Sequence, residues 1–131
     1  MNRRDLLVAG ALSVGGLAWG QALTDKMESG VVVRIAELEI DFAQLERYKV
    51  AVKEEMDTSV RMEPGVLAIY CVAIKENPAS LRFLEIYASE EAYRRHLDSP
   101  HFRKYVVTTR AMIKARKLIE TVPVQLSAKA D

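Results

Sequence analysis

The stretch "VLAIYCVAI", residues 66–74, is apolar on both of its alternating faces. In a strand, successive side chains point to opposite sides of the sheet, so both sides must be kept from water here. The flanking sequence supports a strand. "EPG" (63–65) precedes it, where proline cannot continue a helix and glycine makes the turn. "KENPAS" (75–80) follows as a loop, and "LRFLEIY" (81–87) forms a second strand, so the pair reads as a hairpin.

Upstream, "VVVRIAELEI" (31–40) is β-rich and forms a first strand. Asp41 with Gln44 three residues on resembles a capping box and starts a helix. That helix carries Phe42, Leu45, Tyr48, Val52, Met56 and Val60 at three- and four-residue spacing. Downstream, Ser89 caps a short helix with Glu90 and Glu91 in its first turn, ending near Leu97. Ser99-Pro100 starts another, serine as cap and proline in the first helical position, with Phe102, Val106, Thr109 and Ile113 along one face. "KLIETVPVQL" (117–126) reads as the last strand, on an edge because of Pro123. The order β-α-β-β-α-β is the ferredoxin-like α+β arrangement. Both helices lie on one face of such a sheet, and the apolar 66–74 strand requires cover on the other. A second copy is the economical cover, which predicts a homodimer, a dimeric α+β barrel with an enclosed interior.

Residues 1–22, "MNRRDLLVAGALSVGGLAWGQA", stand apart. A basic start at Arg3-Arg4, an apolar run from Leu6 to Trp19 and small residues at Gly20 and Ala22 predict an export signal of twin-arginine type, and hence a periplasmic protein. An ordinary secretory signal, an uncleaved membrane anchor and a loose N-terminal helix of a cytosolic protein are the alternatives. The run is too short and glycine-rich for a stable membrane span. Residues 23–29 read as a linker, 30–127 as the domain and 128–131 as a tail. Taking Arg3, Arg4 and Asp5 from 19 basic and 18 acidic residues leaves 17 of each. A neutral domain of mixed charge has no electrostatic footprint for nucleic acid. Cys71 is the only cysteine, so no intrachain disulfide forms, and its apolar neighbours predict a buried, unreactive thiol.

Few side chains could carry chemistry. His96 and His101 are the only histidines, on either side of the break in "HLDSPHF" (96–102). His96 ends a helix; it is either a proton acceptor near neutral pH or a ring satisfying the last carbonyls. His101 is either catalytic or a packing residue. In "LRFLEIY", Leu84 and Ile86 share one face while Phe83, Glu85 and Tyr87 share the other. If the first face meets the helices, Glu85 points into the barrel interior, either binding substrate, orienting a histidine, or paired with Arg34 or Arg61. Tyr48, Tyr70, Tyr87 and Tyr105 could each donate to an anion, or serve as core aromatics. Two histidines five apart across a proline do not make the i, i+4 pair of a helical zinc site, so no metal site is expected. No phosphate loop, serine-nucleophile motif or dinucleotide fingerprint is present.

"EPGVLAIYCV" and "RFLEIYASEEAYRRHLDSPHFRKY" resemble the antibiotic biosynthesis monooxygenase superfamily, in particular its small quinol-monooxygenase-like proteins. The resemblance spans residues 31–124. It implies a dimeric α+β barrel and, for some members, oxygenation of quinols or phenolic polyketides with dioxygen and without metal, flavin or other cofactor. Other members isomerise small phosphorylated sugars or degrade haem. The haem-degrading branch relies on a pocket tryptophan, and the only tryptophan here is Trp19, within the export segment. The expectation is a cofactor-free monooxygenase acting on a quinol-like or phenolic molecule. His96 and Glu85 would be its catalytic pair, with Phe83, Tyr70, Tyr87, His101 and Tyr105 around the substrate. A non-enzymatic dimer that binds a small ligand, or an isomerase of a small carbonyl compound, are the alternatives.

Overall fold

A computed structural model describes residues 30–130. The expected export signal (1–22) and linker (23–29) lie outside the described residues. Strand β1 (Val32–Ile40) leads through a 3-10 turn (Phe42–Gln44) into helix α1 (Leu45–Met62). The hairpin β2 (Val66–Ile74) and β3 (Asn77–Tyr87) follows, then helices α2 (Glu90–Leu97) and α3 (Pro100–Thr109), a second 3-10 turn (Arg110–Met112) and β4 (Ile113–Glu120). All strand pairings are antiparallel in the order β2-β3-β1-β4, the ferredoxin-like arrangement. Among the described residues, no helix is long and apolar enough to cross a membrane.

Two strand boundaries differ from the sequence expectation. β3 starts at Asn77, so "NPAS" continues the hairpin instead of forming a loop. Pro78 is tolerated because β3 pairs with β1 only as far as Ser80, which leaves one side of the strand free at Pro78. β4 begins at Ile113 and ends at Glu120, and Pro123 falls beyond it. The strand is nonetheless an edge strand, paired with β1 alone.

The buried stripe of α1 is Leu45, Tyr48, Val52, Glu55 and Ser59. Phe42 and Val60, expected on that stripe, are exposed. The i+3/i+4 rows of the helix run on through Glu55 and Ser59, so its apolar face turns polar towards its end. Gly65 is required where β2 begins, because a Cβ there would stand 2.4 Å from the Cβ of Ala92 in α2.

The register assigns the two faces of the sheet. Arg34, Ala36 and Leu38 of β1 stand opposite Glu85, Phe83 and Leu81 of β3, and this side packs against Tyr48 and Val52 of α1. The alternation read from "LRFLEIY" holds, but its orientation is reversed. Phe83, Glu85 and Tyr87 face the helices, whereas Leu84 and Ile86 face away. The far side has a small cluster of Val33, Ala68 and Ile86 with Leu126 packed on it. Beyond that cluster, Tyr70, Val72, Ile74 and Leu84 are 49%, 62%, 40% and 37% exposed.

Candidate functional site

The corner between α2 and α3 is built by Ser99. Its hydroxyl donates to the carbonyl of His96 at 2.7 Å and accepts the backbone N–H of Phe102 at 3.3 Å. One side chain thus closes the end of α2 and opens α3. Pro100 in the first turn sharpens the bend. The bend carries His96 inward to 2% exposure and leaves His101 on the next helix at the protein surface side of the same carboxylate.

That carboxylate is Glu63, the residue that ends α1. His96 Nδ1 lies 2.9 Å, and His101 Nε2 2.6 Å, from the same oxygen, Glu63 Oε2. Burial works against the Glu63 charge, but hydrogen bonds from both rings outweigh it and hold the carboxyl below its usual range. An ionised carboxylate only accepts, so both rings donate to it. The other nitrogen of His96, Nε2, is 3.3 Å from Glu55 Oε1. Burial pushes the Glu55 carboxyl above its usual range, with the Ser59 hydroxyl (2.9 Å) and His96 pulling the other way. His96 Nε2 and Glu55 thus meet as a close contact at 3.3 Å, while the hydrogen bonds of the pair go to Glu63 and Ser59.

A cavity of about 270 Å³ lies between sheet and helices, and Glu55, Glu85, His96 and Tyr105 line it together with Phe83 and Arg116. Leu118 and Arg116, both exposed, form its rim on β4. Glu85 accepts a short hydrogen bond from the hydroxyl of Tyr87, which is fully buried behind it. Burial raises the Glu85 carboxyl, while Tyr87, His96 and Arg34 act to lower it. Neither proposed ion pair of Glu85 forms. Arg34 instead bonds Glu90 at 3.1 Å and lies over the Tyr93 ring. Tyr105 and Tyr48 share a hydrogen bond of 2.6 Å, and burial raises both phenols. The Cys71 thiol is pushed up to about 11, first by burial and then by Glu85, which keeps it protonated.

Of the residues singled out from the sequence, His96, Glu85, Phe83 and Tyr105 meet in one cavity. Tyr87 supports Glu85 from behind. His101 lines a different cleft beside Glu63 and Gly65. Tyr70 is on the opposite side of the sheet, directly across from Leu84 in register, and does not reach the cavity. Sequence reading passed over Glu55 and the role of Glu63. Glu55 follows Val52 by three positions and Tyr48 by seven, a carboxylate on an otherwise apolar row, which is the signal that identifies it. Glu63 gave no signal beyond its place before Pro64. Glu63, His96 and His101 also form the one group among the described residues with donor atoms spaced to hold a metal ion. Spacing along the chain had argued against such a pairing; the folded corner brings the two rings together through Glu63.

The family described as antibiotic biosynthesis monooxygenase matches residues 31–108. A candidate antibiotic biosynthesis monooxygenase of Bacteroides thetaiotaomicron is 42% identical, with a TM-score of 0.74 over 79% of this chain and 98% of that one. A candidate monooxygenase of Lactobacillus acidophilus is 35% identical with a TM-score of 0.69. That match covers 72% of this chain but 44% of the longer relative. A further structure from Nitrosomonas europaea, 18% identical with a TM-score of 0.69 over 75% of this chain and 94% of that one, shares the fold. No curated protein matches the sequence.

Proposed function

The chain belongs to the antibiotic biosynthesis monooxygenase family, and from that premise we propose that it oxidises a quinol-like or phenolic small molecule with dioxygen, without a cofactor. The observation that carries this reading is the Glu55–His96 pair in the wall of a mostly apolar cavity. A phenol must lose its proton before its ring can pass an electron to dioxygen. Glu55, its basicity raised by burial, accepts that proton, and His96 Nε2 holds it from behind. His96 Nδ1 is taken by Glu63, and its Nε2 stands 3.3 Å from Glu55, so the ring backs the carboxylate rather than acting alone. Tyr105, polarised by Tyr48, donates to the developing anion, and Phe83 walls the ring. One oxygen atom enters the ring and the other leaves as water. A quinol oxidised to a hydroxyquinone supplies all four electrons, so no outside reductant is needed.

The exposed apolar side of the sheet supports a homodimer. Four large apolar side chains 37% to 62% exposed on one face exceed what scattered surface residues account for.

The test is oxygen uptake by the purified, chelator-treated protein with a panel of naphthohydroquinones and polyphenols. The expected result is uptake above the spontaneous rate, reduced in Glu55→Gln by about 10²–10⁴-fold with loss of the acidic limb of the pH–rate profile. Tight binding of the same compounds without uptake would make the protein a ligand-binding dimer instead. Turnover of a small carbonyl compound with no oxygen consumed would make it an isomerase.

A further inference from the structure

We infer that Glu63, His96 and His101 form a binding site for one divalent transition-metal ion of the zinc or iron(II) class. The site backs onto the cavity through His96 but faces a separate cleft, and the oxidation proposed above does not require it. Three observations support it.

The first is position. The donor atoms of the three side chains all lie within 4.8 Å of one another. Both ring nitrogens sit 2.6 and 2.9 Å from a single oxygen of Glu63. Around an ion with bonds of about 2.0–2.1 Å, neighbouring donor atoms stand about 3 Å apart. The two Glu63 contacts are already near that spacing, and the two ring nitrogens, within 4.8 Å of each other, would close around the ion as the shared carboxylate oxygen moves outward.

The second is support behind the site. A histidine that binds a metal through one nitrogen commonly donates its other N–H to a carboxylate, which fixes ring and tautomer. His96 comes close to this arrangement: Nδ1 bonds Glu63, Nε2 lies 3.3 Å from Glu55 Oε1, and Glu55 is held in turn by the Ser59 hydroxyl. With Nδ1 on the ion, the one proton of a neutral His96 ring sits on Nε2, on the side of Glu55. Two imidazoles and one carboxylate suit zinc and iron(II) rather than calcium or magnesium, which favour all-oxygen sites.

The third is access. His101 and Glu63 are part-exposed and line a surface cleft with Met62, Pro64, Gly65 and Arg95. Gly65 has no side chain to fill it. An ion reaches Glu63 and His101 from that side without entering the cavity; His96, 2% exposed, does not line the cleft and would close the site from within. Arg95 is the cation on this rim; it is exposed, so water screens its charge.

The test uses the purified full-length chain, stripped of metal with a chelator and dialysed. It is titrated with Co²⁺ by visible absorption and with Zn²⁺ by calorimetry. The expected result is one ion per chain, weakened at least roughly tenfold in both His101→Ala and Glu63→Gln. In nitrogen-15 spectra, Zn²⁺ should shift His96 Nδ1 and His101 Nε2 and leave His96 Nε2 protonated. Circular dichroism verifies the fold of each variant, and His101→Ala, at a part-exposed position, keeps the test valid should Glu63→Gln unfold. Absence of saturable binding, binding unchanged in His101→Ala, or ligation through His96 Nε2 would each overturn the site. None of these readouts depends on oxygen uptake, so the site and the proposed oxidation can fail separately.

Discussion

Each face of the four-stranded sheet carries exceptions to the usual rule of burial: ionisable groups within the apolar core under the helices, and apolar side chains among Glu37, Glu39 and Arg82 on the open side. Under the helices, where apolar residues are expected, lie Glu55, Glu85, Glu63 and His96, all buried or part-buried. On the open side, where charge is expected, stand Tyr70, Val72, Ile74 and Leu84. Buried ionisable groups are costly unless partnered, and each one here has a partner: Ser59 and His96 for Glu55, Tyr87 for Glu85, two imidazoles for Glu63. Such an arrangement is kept for chemistry more readily than for stability. Exposed apolar side chains in a row are likewise costly unless another surface meets them. The covered face therefore holds the candidate site, and the open face is the surface we propose for a second chain.

The largest effect should come from His96→Ala. It removes the ring between Glu55 and Glu63, leaving the buried Glu55 with Ser59 alone and Glu63 with His101 alone. Breaking a buried charge-bonded group costs about 3–5 kcal/mol. The urea midpoint should fall accordingly, whereas Tyr70→Ala on the open face should cost the isolated protomer less than about 1 kcal/mol. Similar losses in the two variants would erase the distinction between the faces.

Val72→Asp should have a smaller effect on the protomer fold and a specific one on assembly. Val72 is 62% exposed, so a carboxylate there meets water in a single chain but a desolvated surface in a dimer. Light scattering at micromolar concentration should find the wild type as a dimer and the variant as a monomer with unchanged circular dichroism. A dimer that survives Val72→Asp would show that the second copy docks elsewhere.

The same contrast explains what was legible in the sequence. The order of elements and the caps at Ser89 and Ser99 follow from local spacing and local hydrogen bonds, and the structure has them. The apolar 66–74 strand announced that both faces need cover. Which face the helices take was not legible, because alternation in "LRFLEIY" groups residues without saying which group is inside. Burial of Glu85 with Phe83 therefore ran against the simpler expectation that Leu84 and Ile86 pack inward. Glu63 was invisible for another reason. It lies 33 residues from His96 and 38 from His101, and only the bend at Ser99-Pro100 turns both rings to it.

Glu85→Gln should produce the smallest change, and its sign is informative. Burial raises the Glu85 carboxyl in the folded chain, so the folded state holds the proton to higher pH than the unfolded state does. Below the unfolded carboxylate range both states are protonated, and the group costs nothing. As pH rises through that range the unfolded chain ionises first, and stability is lost until the folded carboxyl ionises as well; the cost is constant above that. Glutamine cannot ionise, yet its amide oxygen still accepts from Tyr87. The melting temperature of Glu85→Gln should therefore match the wild type near about pH 4 and exceed it near about pH 7.5. A variant less stable than the wild type at neutral pH would mean that Tyr87, His96 and Arg34 together outweigh desolvation. Glu85 would then be a structural anion of the covered face, and the cavity would retain Glu55 alone as the carboxylate able to take a proton from a bound phenol.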